Sequence, residues 1–201
     1  MNIDVNIQTH QTSVHNFKSQ SHWVRVKEIV VTTLVEWIPR PLGTVLRRLM
    51  YRAIFARVGK SLYVQSGVEL LGANCIEIGD HVKILRDVRI NAAPNSRLCL
   101  RDRVCLDRGV DIKLVTDEDN CNVEIGEWTY LGSYTCIVAA GHIKIGKNCL
   151  IAAHTGIYSA NHNFADTTRC IAIQGLSCKG IVIEDDCWLA VGATKQPISP
   201  T

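Results

Sequence analysis

Seven histidines are the side chains of this chain best suited to moving a proton at neutral pH. An unperturbed imidazole titrates near ~6.5, so it can take a proton from a hydroxyl and return it within one reaction. His162 stands in the most suggestive setting, within Tyr158-Ser159-Ala160-Asn161-His162-Asn163-Phe164-Ala165-Asp166. Asn161 and Asp166 are near enough in sequence to orient its ring or fix its tautomer, and both equally suit plain turn chemistry. By residue type alone, His162 is also an ordinary surface-loop histidine. His154, just before Thr155, either lines the same cleft or sits on a solvated corner, while His81 and His142 fall at turns. The nine cysteines are odd in number and include no Cys-x-x-Cys pair, which argues against a disulfide framework and a zinc knuckle. They read as buried thiols in a reducing compartment, with Cys149 and Cys187 on core positions.

The elements that must position these residues show a period of six. Aliphatic residues recur at Ile78, Ile84 and Ile90, at Leu100, Leu106 and Ile112, and at Ile125, Leu131 and Ile137. They return at Ile145, Ile151 and Ile157, then at Ile183 and Leu189. Four residues after each comes a small or β-branched side chain, such as Val82, Val104, Thr129, Thr155 or Cys187. Each six-residue unit makes one short strand and one corner, and three units close a triangular coil. Gly79, Gly126, Gly132 and Gly146 follow the aliphatic residue, where a corner would call for left-handed dihedrals. The pattern predicts an all-β solenoid, a left-handed parallel β-helix over residues 59–194. Most successive triplets lie slightly more than one bare coil apart. The step from Ile145 to Ile183 is much longer, so residues 161–180 form an external loop on which function tends to sit. Trp188 resumes the coil after that loop, and an aromatic of its size belongs outside so narrow a prism.

Residues 1–21 are polar and predict a mobile arm. Residues 22–58 predict an amphipathic helical segment: Leu42, Val45, Leu46, Leu49, Met50, Ile54 and Phe55 on one side, Arg47, Arg48, Arg52 and Arg57 on the other. Two placements fit this segment, packed on the solenoid or lying peripherally on an anionic membrane. Its charges and length do not suit a membrane span. A net charge of +3, with basic and acidic residues interspersed, leaves no nucleic-acid footprint.

Residues 59–192 resemble the hexapeptide-repeat acyltransferase superfamily, and within it the maltose, galactoside and exopolysaccharide O-acetyltransferases. The repeat carries the resemblance, together with the Tyr158–Asp166 stretch and the run Gly180-Ile181-Val182-Ile183-Glu184-Asp185-Asp186-Cys187-Trp188. The resemblance implies acetyl transfer from acetyl-CoA to a sugar hydroxyl, in polysaccharide biosynthesis, with His162 as general base and no metal. It implies a homotrimer with active sites between subunits, and a donor and acceptor cleft in which Trp188, Asn161, Asp166 and His154 are candidates. Such a protein is expected in the cytoplasm or at the inner face of the cell membrane. Two other readings stand beside it. A γ-class carbonic anhydrase has this fold and a three-histidine zinc site, but His81, His142, His154 and His162 are not spaced for one. The other is a non-catalytic scaffold. After Leu189 the next inward position is Lys195, followed by an irregular tail over 195–201, so the C-terminal coils are expected to be missing.

Overall fold

The computed structural model describes residues 22–36, 38, 42–115 and 121–197. The expected arm over 1–21 and the last residues of the tail lie outside them. Two helices come first, α1 (His22–Glu36) and α2 (Leu42–Tyr51). The chain then enters a coil of three short strands, β1 (Arg57–Val58), β2 (Tyr63–Val64) and β3 (Glu69–Leu71). Four more coils follow: β4 (Ile76–Ile78), β5 (Lys83–Ile84) and β6 (Arg89–Ala92); β7 (Arg97–Leu100), β8 (Cys105–Leu106) and β9 (Asp111–Leu114); β10 (Asn122–Ile125), β11 (Tyr130–Leu131) and β12 (Cys136–Ala139); β13 (Ile143–Ile145), β14 (Leu150–Ile151) and β15 (Gly156–Tyr158). An antiparallel hairpin, β16 (Ala160–His162) and β17 (Leu176–Cys178), interrupts the winding. A last coil, β18 (Ile181–Ile183), β19 (Trp188–Leu189) and β20 (Thr194–Lys195), completes it.

Equivalent strands stack into three parallel sheets of six, forming a left-handed β-helix. The register is the predicted one. On the first sheet Ile78 pairs with Leu100, Leu100 with Ile125, Ile125 with Ile145 and Ile145 with Ile183. The second stacks Ile84, Leu106, Leu131, Ile151 and Leu189, and the third stacks Ile90, Ile112, Ile137 and Ile157. Nearly all of these side chains are fully buried, and each contributes roughly 1.5–3 kcal/mol by leaving water. The inward hydroxyls are satisfied: Thr129 donates to the Gly146 carbonyl at 2.7 Å and Thr155 to the Ala152 carbonyl at 2.8 Å.

Within the expected span, apart from its first strand, a coil precedes the Ile78 triplet: Val58 pairs with Ile78, Val64 with Ile84, and Leu70 with Ile90. Two expectations are corrected. The left-handed dihedrals do not fall on the corner glycines. They fall two residues later, on His81, Trp128, Tyr134 and Asn148, with φ between 55 and 60°. Each of these residues donates its backbone N–H to the preceding coil, as Trp128 does to the Asp102 carbonyl at 3.0 Å. The glycines are required by crowding instead: a Cβ on Gly126 would lie 2.5 Å from the Gly146 backbone, and one on Gly132 2.7 Å from the Ala153 nitrogen.

The second correction concerns the helices. Arg47 is buried, not on an outer polar face; its Nε donates to the Val64 carbonyl at 3.2 Å. The apolar side is split: Ile54 and Phe55 are buried and Leu46 and Met50 pack on the core, whereas Leu42, Val45 and Leu49 are turned outward. α2 settles on β2, where Arg47 finds the Val64 carbonyl, and α1 on β3, with Glu28 accepting the Ala73 N–H.

Candidate functional site

The prism has three corners, and the chain leaves it most extensively at the corner between the third and first sheets. There β16 and β17 project as a hairpin whose register sets Ala160 opposite Cys178, Asn161 opposite Ser177 and His162 opposite Leu176. Ser159, fully buried, anchors its root by accepting hydrogen bonds from the N–H groups of Ala140 at 2.9 Å and Gly141 at 3.0 Å. The Lys179 N–H returns to the Ser159 carbonyl at 3.0 Å and closes the root. A rigid base thus carries a pair of strands into solvent.

His162 ends the outgoing strand and is exposed. Among the described residues its ring makes no hydrogen bond, so both nitrogens stand open to a substrate. Asn161 points its amide to the Pro197 carbonyl at 3.0 Å. Asp166 accepts from the Thr168 N–H at 2.9 Å and the Thr168 hydroxyl at 2.6 Å, a local turn within the excursion. Those two bonds, the hydroxyl's first, hold the Asp166 carboxyl below the ordinary carboxylate range. Gln174 spans the loop, accepting from the Asp166 N–H at 3.1 Å and donating to the Asp166 and Arg169 carbonyls at 2.8 and 2.9 Å.

Trp188 and His154 sit elsewhere on the prism. Trp188 is on β19, paired with Leu150 on the outer face of the second sheet, and is 75% exposed. That sheet is the side of the triangle opposite the corner from which His162 projects. Within one chain, the fold therefore does not bring His162 and Trp188 together. His154 turns the corner between the second and third sheets in left-handed conformation, its ring stacked on Tyr134 with centroids 5.3 Å apart. Arg108 lies over the Tyr134 ring at 5.7 Å, and Arg103 over Trp128 at 4.4 Å. These aromatic corners escaped notice in the sequence; their signal was a large ring two residues past a corner glycine, as in Gly126 and Trp128 or Gly132 and Tyr134.

Beside them Asp107 accepts from the Tyr130 hydroxyl at 2.5 Å and the Ser133 hydroxyl at 2.8 Å. Burial raises the Asp107 carboxyl, but the bonds from Tyr130, the Arg108 N–H and Ser133 outweigh it and leave it lowered. The bond to Asp107 pushes the Tyr130 phenol up to about 12.

All nine cysteines are free; Cys99, Cys121 and Cys149 are buried, Cys75, Cys105, Cys136 and Cys187, the last expected in the core, are half-buried, and Cys170 and Cys178 are exposed on the excursion. Burial pushes the Cys121 thiol up to about 11, the opposite of an activated nucleophile. Among the described residues no three His, Cys, Asp or Glu side chains converge as metal ligands.

No protein-family model matches the chain, and no curated protein does. A solved structure does: a galactoside acetyltransferase in complex with coenzyme A, at 16% sequence identity and a TM-score of 0.53. The match spans 67% of this chain and 70% of that one. The shared fold is a parallel β-solenoid.

Proposed function

We propose that this protein is a coenzyme-A-dependent O-acetyltransferase that acetylates a sugar hydroxyl, with His162 as general base. The single observation that carries the reading is an exposed imidazole, without a hydrogen-bond partner among the described residues, held on a rooted hairpin at one corner of a left-handed β-helix. The likeness to the coenzyme A complex of a galactoside acetyltransferase supports the same class of reaction.

In this reaction the acceptor oxygen attacks the thioester carbonyl carbon while the His162 imidazole takes the hydroxyl proton. A carbon–oxygen bond forms, the carbon–sulfur bond breaks, and the proton passes from the imidazolium to the departing thiolate. The products are an acetyl ester and the coenzyme A thiol. No covalent enzyme intermediate is needed, in keeping with the raised thiols of Cys121 and Cys149. The opposed positions of His162 and Trp188 favour an assembly in which one protomer's hairpin reaches the second sheet of a neighbour. The outward column of Tyr130, Leu150 and Trp188 supplies an apolar face for that contact, and a closed homotrimer lets every hairpin find one.

The experiment is acetyl-CoA turnover, read as free thiol, with a panel of mono- and oligosaccharides. Acceptor-dependent thiol release with an acetyl ester on the sugar supports the reading. Absence of turnover with every acceptor, in protein that binds no coenzyme A, rejects it.

A further inference from the structure

α1 and α2 bury one charged residue each. Glu28 is 3% exposed and accepts the Ala73 N–H at 2.7 Å, and Arg47 is 2% exposed and donates to the Val64 carbonyl. Val31, Tyr51, Leu46 and Met50 meet the core beside them, and much of the remaining apolar surface faces away. Val26, Ile29, Val30 and Leu34 of α1, with Leu42, Val45 and Leu49 of α2, are 47–75% exposed. On α2, Leu42, Val45 and Leu49 make one stripe at helical spacing, and Arg48 and Arg52 flank it. Lys27 stands exposed beside Val30 and Leu34 on α1.

We propose that this face docks the protein on an anionic phospholipid surface, the helices lying in the headgroup plane. Charge selects this occupant. Residues 22–58 hold seven Arg and Lys against two Glu, whereas the whole chain has a net charge of only +3. One charge of each sign, Glu28 and Arg47, is buried, so the excess of basic residues remains. Pairing of the same face between two copies would set Lys27, Arg48 and Arg52 against their like. Anionic headgroups would neutralise them while the acyl boundary receives the seven apolar side chains. No helix of the described residues is long and apolar enough to cross a membrane, so the contact is with one leaflet. Such docking would set the solenoid beside acceptors that are lipid-linked or being assembled at the membrane.

The test is co-sedimentation of the full chain with vesicles of phosphatidylcholine alone or mixed equally with phosphatidylglycerol, at low and high salt. The expected result is binding to the mixed vesicles only, weakened by salt. Ile29→Ser/Leu49→Ser should weaken it by at least about tenfold, with circular dichroism, melting temperature and soluble acetyl-CoA turnover unchanged. Lys27→Glu/Arg48→Glu, a second variant sparing the apolar face, should abolish the preference for phosphatidylglycerol. Failure of the wild type to bind mixed vesicles would overturn the proposal, as would equal binding by both variants. So would an oligomer of the lipid-free protein that the Ser variant dissociates, since a second copy would then own the face. The readout is binding, so a chain without turnover can still pass and an active one can still fail.

Discussion

The side-chain amide of Asn161 donates to the backbone carbonyl of Pro197, 3.0 Å away. This bond joins the first strand of the projecting hairpin to the segment that follows β20. It supports the residue next to His162 from the end of the described chain. Asn161→Ala removes a bond worth about 1 kcal/mol and should loosen the hairpin without unfolding the solenoid. Limited proteolysis checks this: cleavage within 163–175 should accelerate severalfold while the melting temperature moves little.

Corner chemistry yields a paired prediction. Gly126→Ala puts a Cβ 2.5 Å from the Gly146 backbone, where no flexible side chain can yield. Its expected cost is roughly 1–3 kcal/mol. His81→Gly, at a non-glycine residue with φ of 57°, should be neutral or slightly stabilising. Thermal denaturation of the two variants decides whether crowding or dihedral preference rules the corners.

Much of this architecture was legible in advance. The side chains that stack six apart are the ones that pair in register, because a solenoid writes its period directly into the chain. The initial coil of Val58, Val64 and Leu70 was less visible, since it follows at once on the helical run Met50–Phe55, whose spacing of three and four masks the change of period. The left-handed positions were misplaced because backbone bonds between coils, not residue preference, hold Trp128 and Tyr134 there. The split of the helical segment's apolar side was not legible, because amphipathicity treats it as one face, whereas Leu46, Met50, Ile54 and Phe55 meet the core and Leu42, Val45 and Leu49 do not. Here Arg47 finds the Val64 carbonyl, a contact that no helical pattern encodes. For the site, the sequence marked the excursion and His162. It could not show that Trp188 lies across the prism, because that depends on which sheet each sixth residue joins.

Acid should expose the Asp107 cluster. The folded carboxyl lies below its unfolded value near ~4, so its contribution is complete above that value and is lost as pH falls through the folded one. Tyr130→Phe removes one of the bonds that lower it, and should flatten the dependence of melting temperature on pH below about 4. In the wild type two tyrosines should titrate late in the phenolate absorbance, Tyr158, raised by its hydrogen bond with Cys136, and Tyr130, pushed up to about 12; Tyr130→Phe should remove the second step and leave the first.

If a shared site is formed between protomers, His162 and Trp188 of that site come from different chains. His162→Ala and Trp188→Ala proteins, each impaired alone, should regain turnover when unfolded together and reassembled. Activity no greater than the mean of the two parents would place both residues in one chain's site.

The most direct measurement is kcat/KM for acetyl-CoA and the best sugar acceptor in wild type and His162→Ala, with circular dichroism confirming both folds. An imidazole acting as general base predicts a loss of roughly 10²–10⁴-fold. Equal rates in the two proteins would contradict the assignment.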